Sequence, residues 1–302
     1  MTNSVIKIAT RSSELALWQA NAVGRALGQE YELVHVISSG DKDLSSPLTE
    51  IGGAGVFVKE VQLALLDGRA DVAVHSAKDL PGETTEGLLI AGYLPRGDAR
   101  DVLVGTTLTT AKRGATIATG SARRRALLLA KRPDLKIVQL RGNIRTRLAH
   151  LGEVDGVVIA KAALDRLEIV PELYEVFDPS DFCPQIGQGA IAIETTTQDV
   201  ELAGRIYDRG DPETFSCVTA ERALLKRLGA GCSLPVGAYS YLDAGSVVLF
   251  GMVSSHDGTQ IVSATFRSAD PEKLGFELGS FILDNGGNGL LSTQSDKRDF
   301  DW

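Results

Sequence analysis

Ile117-Ala118-Thr119-Gly120-Ser121 repeats, 109 residues on, the stretch Ile8-Ala9-Thr10-Arg11-Ser12. In both places an apolar run ends, a small polar turn follows and a helical pattern begins. A second match runs in the same order: Ala70-Asp71-Val72-Ala73-Val74 and Val154-Asp155-Gly156-Val157-Val158. Two matches in one order and one context predict two related α/β halves with a cleft between them.

Around the first copy, a strand is predicted over Val5 to Ala9 and a helix over Glu14 to Gly28. Ser12 or Ser13 can cap that helix, and Leu15, Trp18 and Ala22 share one of its faces. A strand from Leu33 to Ile37, a helix from Phe57 to Leu66 and a strand from Asp71 to His75 complete a β-α-β-α-β order. That order predicts a parallel, doubly wound sheet. The polar stretch from Ser38 to Gly55 holds Gly40, Gly52, Gly53 and Gly55 and is too long for a simple turn, so it reads as a mobile lid or a disordered segment. After Pro184, Gly187-Gln188-Gly189 leads into a strand from Ala190 to Glu194. A helix from Glu213 to Leu228, a glycine-rich turn through Cys232 to Pro235, strands near 238–241, 247–253 and 260–266, and a helix from Pro271 to Leu283 read as a small α+β third domain. The tail from Ser292 to Trp302 is mostly polar and is expected to fray.

The 302 residues are 43% hydrophobic and 23% charged, the balance of a globular protein. No apolar run reaches the roughly 18 residues that a membrane span needs. The first residues show no basic stretch ahead of a long apolar core, so no secretory leader is expected. Three widely spaced cysteines, Cys183, Cys217 and Cys232, suit free thiols in a reducing cytoplasm. The scattered histidines give no metal-ligand spacing, and no metal is expected.

Charge is concentrated. Lys112 to Arg147 carries eleven Lys/Arg against one acid, Asp134, in a chain of net charge −8. Four segments at predicted carboxyl ends of strands pair a small hydroxyl or glycine with a cation: Thr10-Arg11-Ser12-Ser13, His75-Ser76-Ala77-Lys78-Asp79, Thr119 to Arg125, and Arg141 to Arg147. Ligands of open α/β sheets sit at such ends, where helix N-termini and the arginine fork receive anions. Arg123, Arg124, Arg141 and Arg147 are therefore read as an anion site, and Lys131, Arg132 and Lys136 as solvated. The pI of about 5.1 and the lack of any aromatic residue in the island argue against nucleic acid and for a compact polycarboxylate. Asp79, beside Lys78, either caps the turn before Pro81 or stabilises a cation and moves protons. Cys232 is either a small buried residue or a thiol nucleophile and attachment point.

Taken together, these segments resemble the porphobilinogen deaminase family. The matching motifs are Ile8-Ala9-Thr10-Arg11-x-Ser13-x-Leu15-Ala16-Leu17-Trp18-Gln19-Ala20, Gly55-x-Phe57-Val58-Lys59-Glu60, Ala70-Asp71-x-Ala73-Val74-His75-Ser76-x-Lys78-Asp79-x-Pro81, Leu140-Arg141-Gly142-Asn143-x-x-Thr146-Arg147, Gly187-Gln188-Gly189-Ala190 and Gly231-Cys232-x-x-Pro235-x-Gly237. The resemblance implies two periplasmic-binding-protein-like domains, 1–94 with 190–208 and 95–189, and a C-terminal domain, 211–302. It implies a transferase that joins four porphobilinogen molecules head to tail with loss of ammonia, giving hydroxymethylbilane for haem and chlorophyll. The growing chain is primed by a dipyrromethane cofactor made from the substrate and held by Cys232 through a thioether. Asp79 matches the carboxylate that contacts pyrrole N–H groups and stabilises the azafulvenium left by ammonia. Ser76, Lys78, Thr119, Ser121, Arg123, Arg124 and Gly189 match cofactor-binding positions. Arg11, Ser13, Arg141, Arg147 and Arg166 match substrate-binding positions, and Asp41 and Phe57 belong to the lid. A cytoplasmic monomer is implied, without nucleic-acid or membrane partners. Ser39, Glu50 and Ala54 depart from the basic residues usual in that lid. Lys161 replaces a small apolar residue, and Thr119-Gly120-Ser121-Ala122-Arg123-Arg124 replaces Thr-Ser-Ser-Leu-Arg-Arg.

Overall fold

The computed structural model describes residues 5–37, 58–229 and 234–292. The first sheet has strand order β2-β1-β3-β10-β4, built from β1 (Ile6–Arg11), β2 (Tyr31–Val36), β3 (Val72–Ser76), β4 (Leu88–Tyr93) and β10 (Ile191–Thr196). The second has order β7-β6-β8-β5-β9, from β5 (Asp101–Val104), β6 (Thr116–Ala118), β7 (Lys136–Val138), β8 (Gly156–Ala160) and β9 (Tyr174–Val176). In each, three parallel strands are followed by an antiparallel one, β10 or β5. The doubly wound pattern therefore holds, but the sheets are mixed rather than wholly parallel. The chain leaves the first sheet after β4, enters the second through β5, and returns through β10, so both strands run against their neighbours. The two crossings touch where the Gly97 N–H donates to the Gly189 carbonyl at 3.0 Å.

The sequence repeat is an in-register structural repeat. Ile8 pairs with Val72 and Ala9 with Ala73; Ile117 pairs with Gly156 and Ala118 with Val157. The shared aspartate explains why that residue recurs. The Lys7 N–H donates to the Asp71 carboxylate, and the Thr116 N–H to the Asp155 carboxylate, each at 2.8 Å. Each carboxylate satisfies a strand-entry N–H that the ladder leaves over.

Helices follow the strands. Ser13, not Ser12, caps α1 (Glu14–Leu27), accepting from the Ala16 N–H at 3.3 Å, and Gly28 ends it at φ 70°. The helix expected from Phe57 begins at Lys59 as α2 (Lys59–Leu66). Ser121 caps α3 (Ala122–Lys131), Asn143 caps α4 (Ile144–Ala149), and α5 (Lys161–Arg166) follows β8. Helix α6 (Val200–Arg209) covers the first sheet, where Leu202 and Ile206 join a core with Ile8, Val23 and Ile193. In the last unit, α7 (Pro212–Leu228) and α8 (Pro271–Ile282) lie on the antiparallel sheet β11 (Val236–Asp243), β12 (Ser246–Ser254), β13 (Ile261–Ser268). Their core contains Leu224, Leu249, Leu278 and Ile282. These strands are longer than the sequence suggested, and β13 alternates regularly between exposed and half-buried residues, as a strand with one covered and one solvated face does. Among the described residues, no helix is long and apolar enough to cross a membrane.

Candidate functional site

Three of the four predicted corners, at Lys78-Asp79, Thr119 to Arg125 and Arg141 to Arg147, come together between the first two sheets. Asp79 ends a 3₁₀ turn (Ala77–Asp79) that continues β3. Thr119 and Ser121 occupy the β6–α3 corner, and Arg141 to Arg147 the β7–α4 corner. The buried Thr10 hydroxyl donates to the Ala16 carbonyl at 3.2 Å, so it fastens its own turn. Arg11 ends β1, half-buried. Ser76 exchanges hydrogen bonds with Gln19, the shorter at 3.0 Å. The Thr119 hydroxyl accepts from the Ser121 N–H at 3.3 Å, and the Ser121 hydroxyl accepts from the Arg124 N–H at 3.4 Å.

At the centre is a residue that the sequence reading missed. Asp101 is fully buried at the start of β5. Arg124 donates to its Oδ1 through Nε at 3.0 Å and Nη2 at 2.7 Å, and Nη1 of Arg123 lies 2.8 Å from Oδ2. Burial alone would push the Asp101 carboxyl up, but the two arginines outweigh it and hold it at about 2. Arg123 and Arg124 are thus partly committed to an internal carboxylate and are not simply free corner cations. Arg124 also donates to the Val158 carbonyl at 2.9 Å, and Arg123 to the Cys183 carbonyl at 2.6 Å. Arg123 is 2% exposed, yet its Nε and Nη2 find no hydrogen-bond partner among the described residues. Buried unpaired donors are costly and invite an acceptor from outside the chain.

Gln188, fully buried, is the hub. Its amide donates to the Ala99 carbonyl at 2.7 Å and to Asp101 at 2.9 Å, while its oxygen accepts from Lys78 and Arg124, both at 3.4 Å. Burial, with Arg124 and Arg147 nearby, lowers the Lys78 ammonium to about 8 against the pull of Asp79 and Asp101. Burial also lowers Arg147 to about 10; Arg124 and Arg141 add to this and Asp79 opposes it. Five cations (Lys78, Arg123, Arg124, Arg141, Arg147) therefore surround two carboxylates, and Asp101 is already committed to the arginines. A narrow cavity lined by Lys78, Ser121, Arg123, Gln185, Leu234 and Val236 opens from this cluster. Leu234 lies two residues beyond Cys232.

Glycine keeps the cluster closed. Gly189 has φ 86°, and a Cβ there would collide with the Gly97 carbonyl oxygen. A Cβ on Gly120 would stand 2.8 Å from the Leu140 carbonyl oxygen, so glycine here lets the β6–α3 corner approach the end of β7 closely. Arg166 donates through Nη2 to the Gly189 carbonyl at 2.6 Å, and burial lowers it to about 10. Lys161 pairs with Asp165 on its own helix, so its charge is directed there. Lys136 is exposed, and Lys131 reaches Asp181 at 3.4 Å. Arg132 corrects the solvated reading: it forks onto Asp134 at 2.7 and 2.8 Å and donates to the Leu108 carbonyl at 2.6 Å, pinning the loop before β6. Cys183 and Cys217 are buried free thiols, as expected. Cys232 and the lid positions Ser39, Asp41, Glu50, Ala54 and Phe57 lie outside the described residues.

Gln188 stood inside the Gly187-Gln188-Gly189 motif, of which only Gly189 was given a role. Asp101 had one local signal, an acid directly preceding the apolar run Val102-Leu103-Val104.

A family model described as porphobilinogen deaminase, dipyromethane cofactor binding domain, matches residues 6–204, and one described as porphobilinogen deaminase, C-terminal domain, matches residues 215–284. A curated relative, porphobilinogen deaminase of Alkaliphilus metalliredigens (strain QYMF), is 38% identical over 300 residues, covering 95% of each chain. Among solved structures, protein PG110 from Staphylococcus aureus is 15% identical, with 72% of this chain and 91% of that one covered at a TM-score of 0.40. YhfZ from Shigella flexneri is 17% identical, with 74% and 96% covered at a TM-score of 0.36.

Proposed function

Because the chain belongs to the porphobilinogen deaminase family, we propose that Asp79 is its catalytic carboxylate and that the cations around it receive the carboxylates of cofactor and substrate. The reaction itself follows from the family: a transferase joins four porphobilinogen molecules head to tail with loss of ammonia and yields hydroxymethylbilane. It works on a dipyrromethane cofactor, which supplies the free pyrrole position for the first addition.

The observation that carries the residue assignment is the excess of cations around Asp79. Bare, these cations would oppose the positive charge that develops when ammonia leaves. Each bound pyrrole brings carboxylates that neutralise them. Asp79 is then the negative charge left to face the pyrrole N–H groups and the cation beside them. The buried, unpartnered Nε and Nη2 of Arg123, with Lys78 and Ser121 on the same cavity, suit a resident carboxylate-bearing group. Cys232 is the proposed anchor, supported by the position of Leu234 at that cavity. Arg11, Ser13, Arg141, Arg147 and Arg166 are assigned to incoming substrate, Ser76, Thr119, Arg124 and Gly189 to the cofactor side, and Asp41 and Phe57 to a lid.

The proposal divides the chain into 1–94 with 190–208, 95–189 and 211–302, which gives each of the three sheets its own domain. It also places a monomer in the cytoplasm, where the free thiols of Cys183 and Cys217 would persist.

Intact-mass measurement on freshly purified enzyme from a porphobilinogen-producing host tests this. The mass should exceed that of the sequence by one dipyrromethane. Cys232→Ser should remove the excess, and Asp79→Asn should keep it while losing turnover. An unmodified wild-type mass, or full turnover by Asp79→Asn, would overturn the assignments.

A further inference from the structure

Trp18 projects from α1, a helix of the first sheet, yet it is 37% exposed and is not a core residue. Its ring lies under the guanidinium of Arg166, on α5 beside the second sheet, with the guanidinium carbon 5.5 Å from the ring centroid. That distance lies within the range of a cation–π contact. Among the described residues, Arg166 forms no ion pair within 4 Å; its partners are the Gly189 carbonyl and this ring.

The two contacts divide the work of holding a long side chain. The carbonyl takes one N–H of Nη2 and fixes where the guanidinium sits. The ring face takes no donor at all. A ring beneath a guanidinium limits the rotation of its plane while using none of its N–H groups. A carboxylate is received in that plane by two parallel N–H groups. An aliphatic side chain at position 18 would fill the same space but let the plane turn.

We infer that Trp18 is a positioning residue: its ring holds the Arg166 guanidinium in the plane that receives a substrate carboxylate, so that the first lobe sets the geometry of a binding group on the second. This rests on the reading of Arg166 as a substrate-binding residue.

Steady-state kinetics of the holoenzyme with porphobilinogen test both levels. Trp18→Leu should raise KM about tenfold, the middle of the range for a partly desolvated cation–π contact, with kcat within about twofold of wild type. Trp18→Phe, which keeps a ring face, should restore most of the loss. Arg166→Gln should raise KM at least as much, and the double variant Trp18→Leu/Arg166→Gln should be no worse than Arg166→Gln alone. If Trp18→Leu does not fold, Trp18→Met removes the ring face with a more pliable side chain and is read in the same way. A raised KM in Arg166→Gln with an unchanged KM in Trp18→Leu overturns the positioning role and leaves Arg166 as a binding group. An unchanged KM in Arg166→Gln overturns the reading of Arg166 itself. Equal losses of kcat and stability in the Leu and Phe variants would mark Trp18 as structural and sink the inference.

Discussion

Asp101 determines how many charges the site can offer. It takes up part of Arg123 and Arg124, and in doing so holds two guanidinium groups in a buried place that neither could occupy alone. Asp101→Asn should therefore lower the unfolding free energy by about 3–5 kcal/mol, measured by denaturant titration, because two buried cations lose their counter-charge. The pH dependence has a definite sign. The Asp101 carboxyl is held at about 2 in the fold against an ordinary 3.8. Its contribution is complete above about pH 4 and is lost as pH falls through about 2. The stability gap between wild type and Asp101→Asn should narrow across that interval and stay constant above it. The arginines were legible in the sequence because a strand-to-helix corner is a local pattern. Their shared carboxylate was not, because the contact exists only once β5 runs antiparallel beside β8 and brings residue 101 to the same end as residue 124.

Helix α1 is the element that joins the lobes. Its extent to Gly28 was readable, and its cap was narrowed to Ser12 or Ser13. Its partners in the second lobe were not readable. Leu15 packs against the core cluster of the second sheet with Val102 and Leu140. Glu14 receives a fork from Arg145 at 2.7 and 2.9 Å, 131 residues away. Both residues stand at unspecified positions of the motifs that surround them, so no family pattern announced the pair. The pair is exposed, which makes it weak and sensitive to screening by salt. Small-angle scattering should show the wild-type radius of gyration rising from low to high ionic strength. Arg145→Gln should begin at the higher value and respond little. An identical response in both proteins would show that the pair does not hold the lobes together.

Across the whole molecule, the repeat was the most legible feature, and for a physical reason. Asp71 and Asp155 each bond to a neighbouring strand, so a local match in sequence recorded a pairing across the sheet. The attachment of the third unit left no such trace. Glu221 on α7 is fully buried; Arg96 from the first crossing forks onto it at 2.7 and 3.2 Å, and the Gly187 N–H from the second crossing and the Ser240 hydroxyl each donate to it at 2.7 Å. Glu221→Gln leaves Arg96 with a neutral partner. It should cost about 3–5 kcal/mol, and calorimetry should show the C-terminal unit melting at a lower temperature than in the wild type, further apart from the rest of the chain. The bond between Gly97 and Gly189 has a consequence of another kind. A single linker would let two bodies swivel about a point, whereas two linkers fastened side by side define a line. Two chains side by side resist twisting more than one does, so flexing about that line is the motion this junction favours. A product that lengthens by identical units would be met along one reproducible arc, with each addition displacing the same surfaces in the same order.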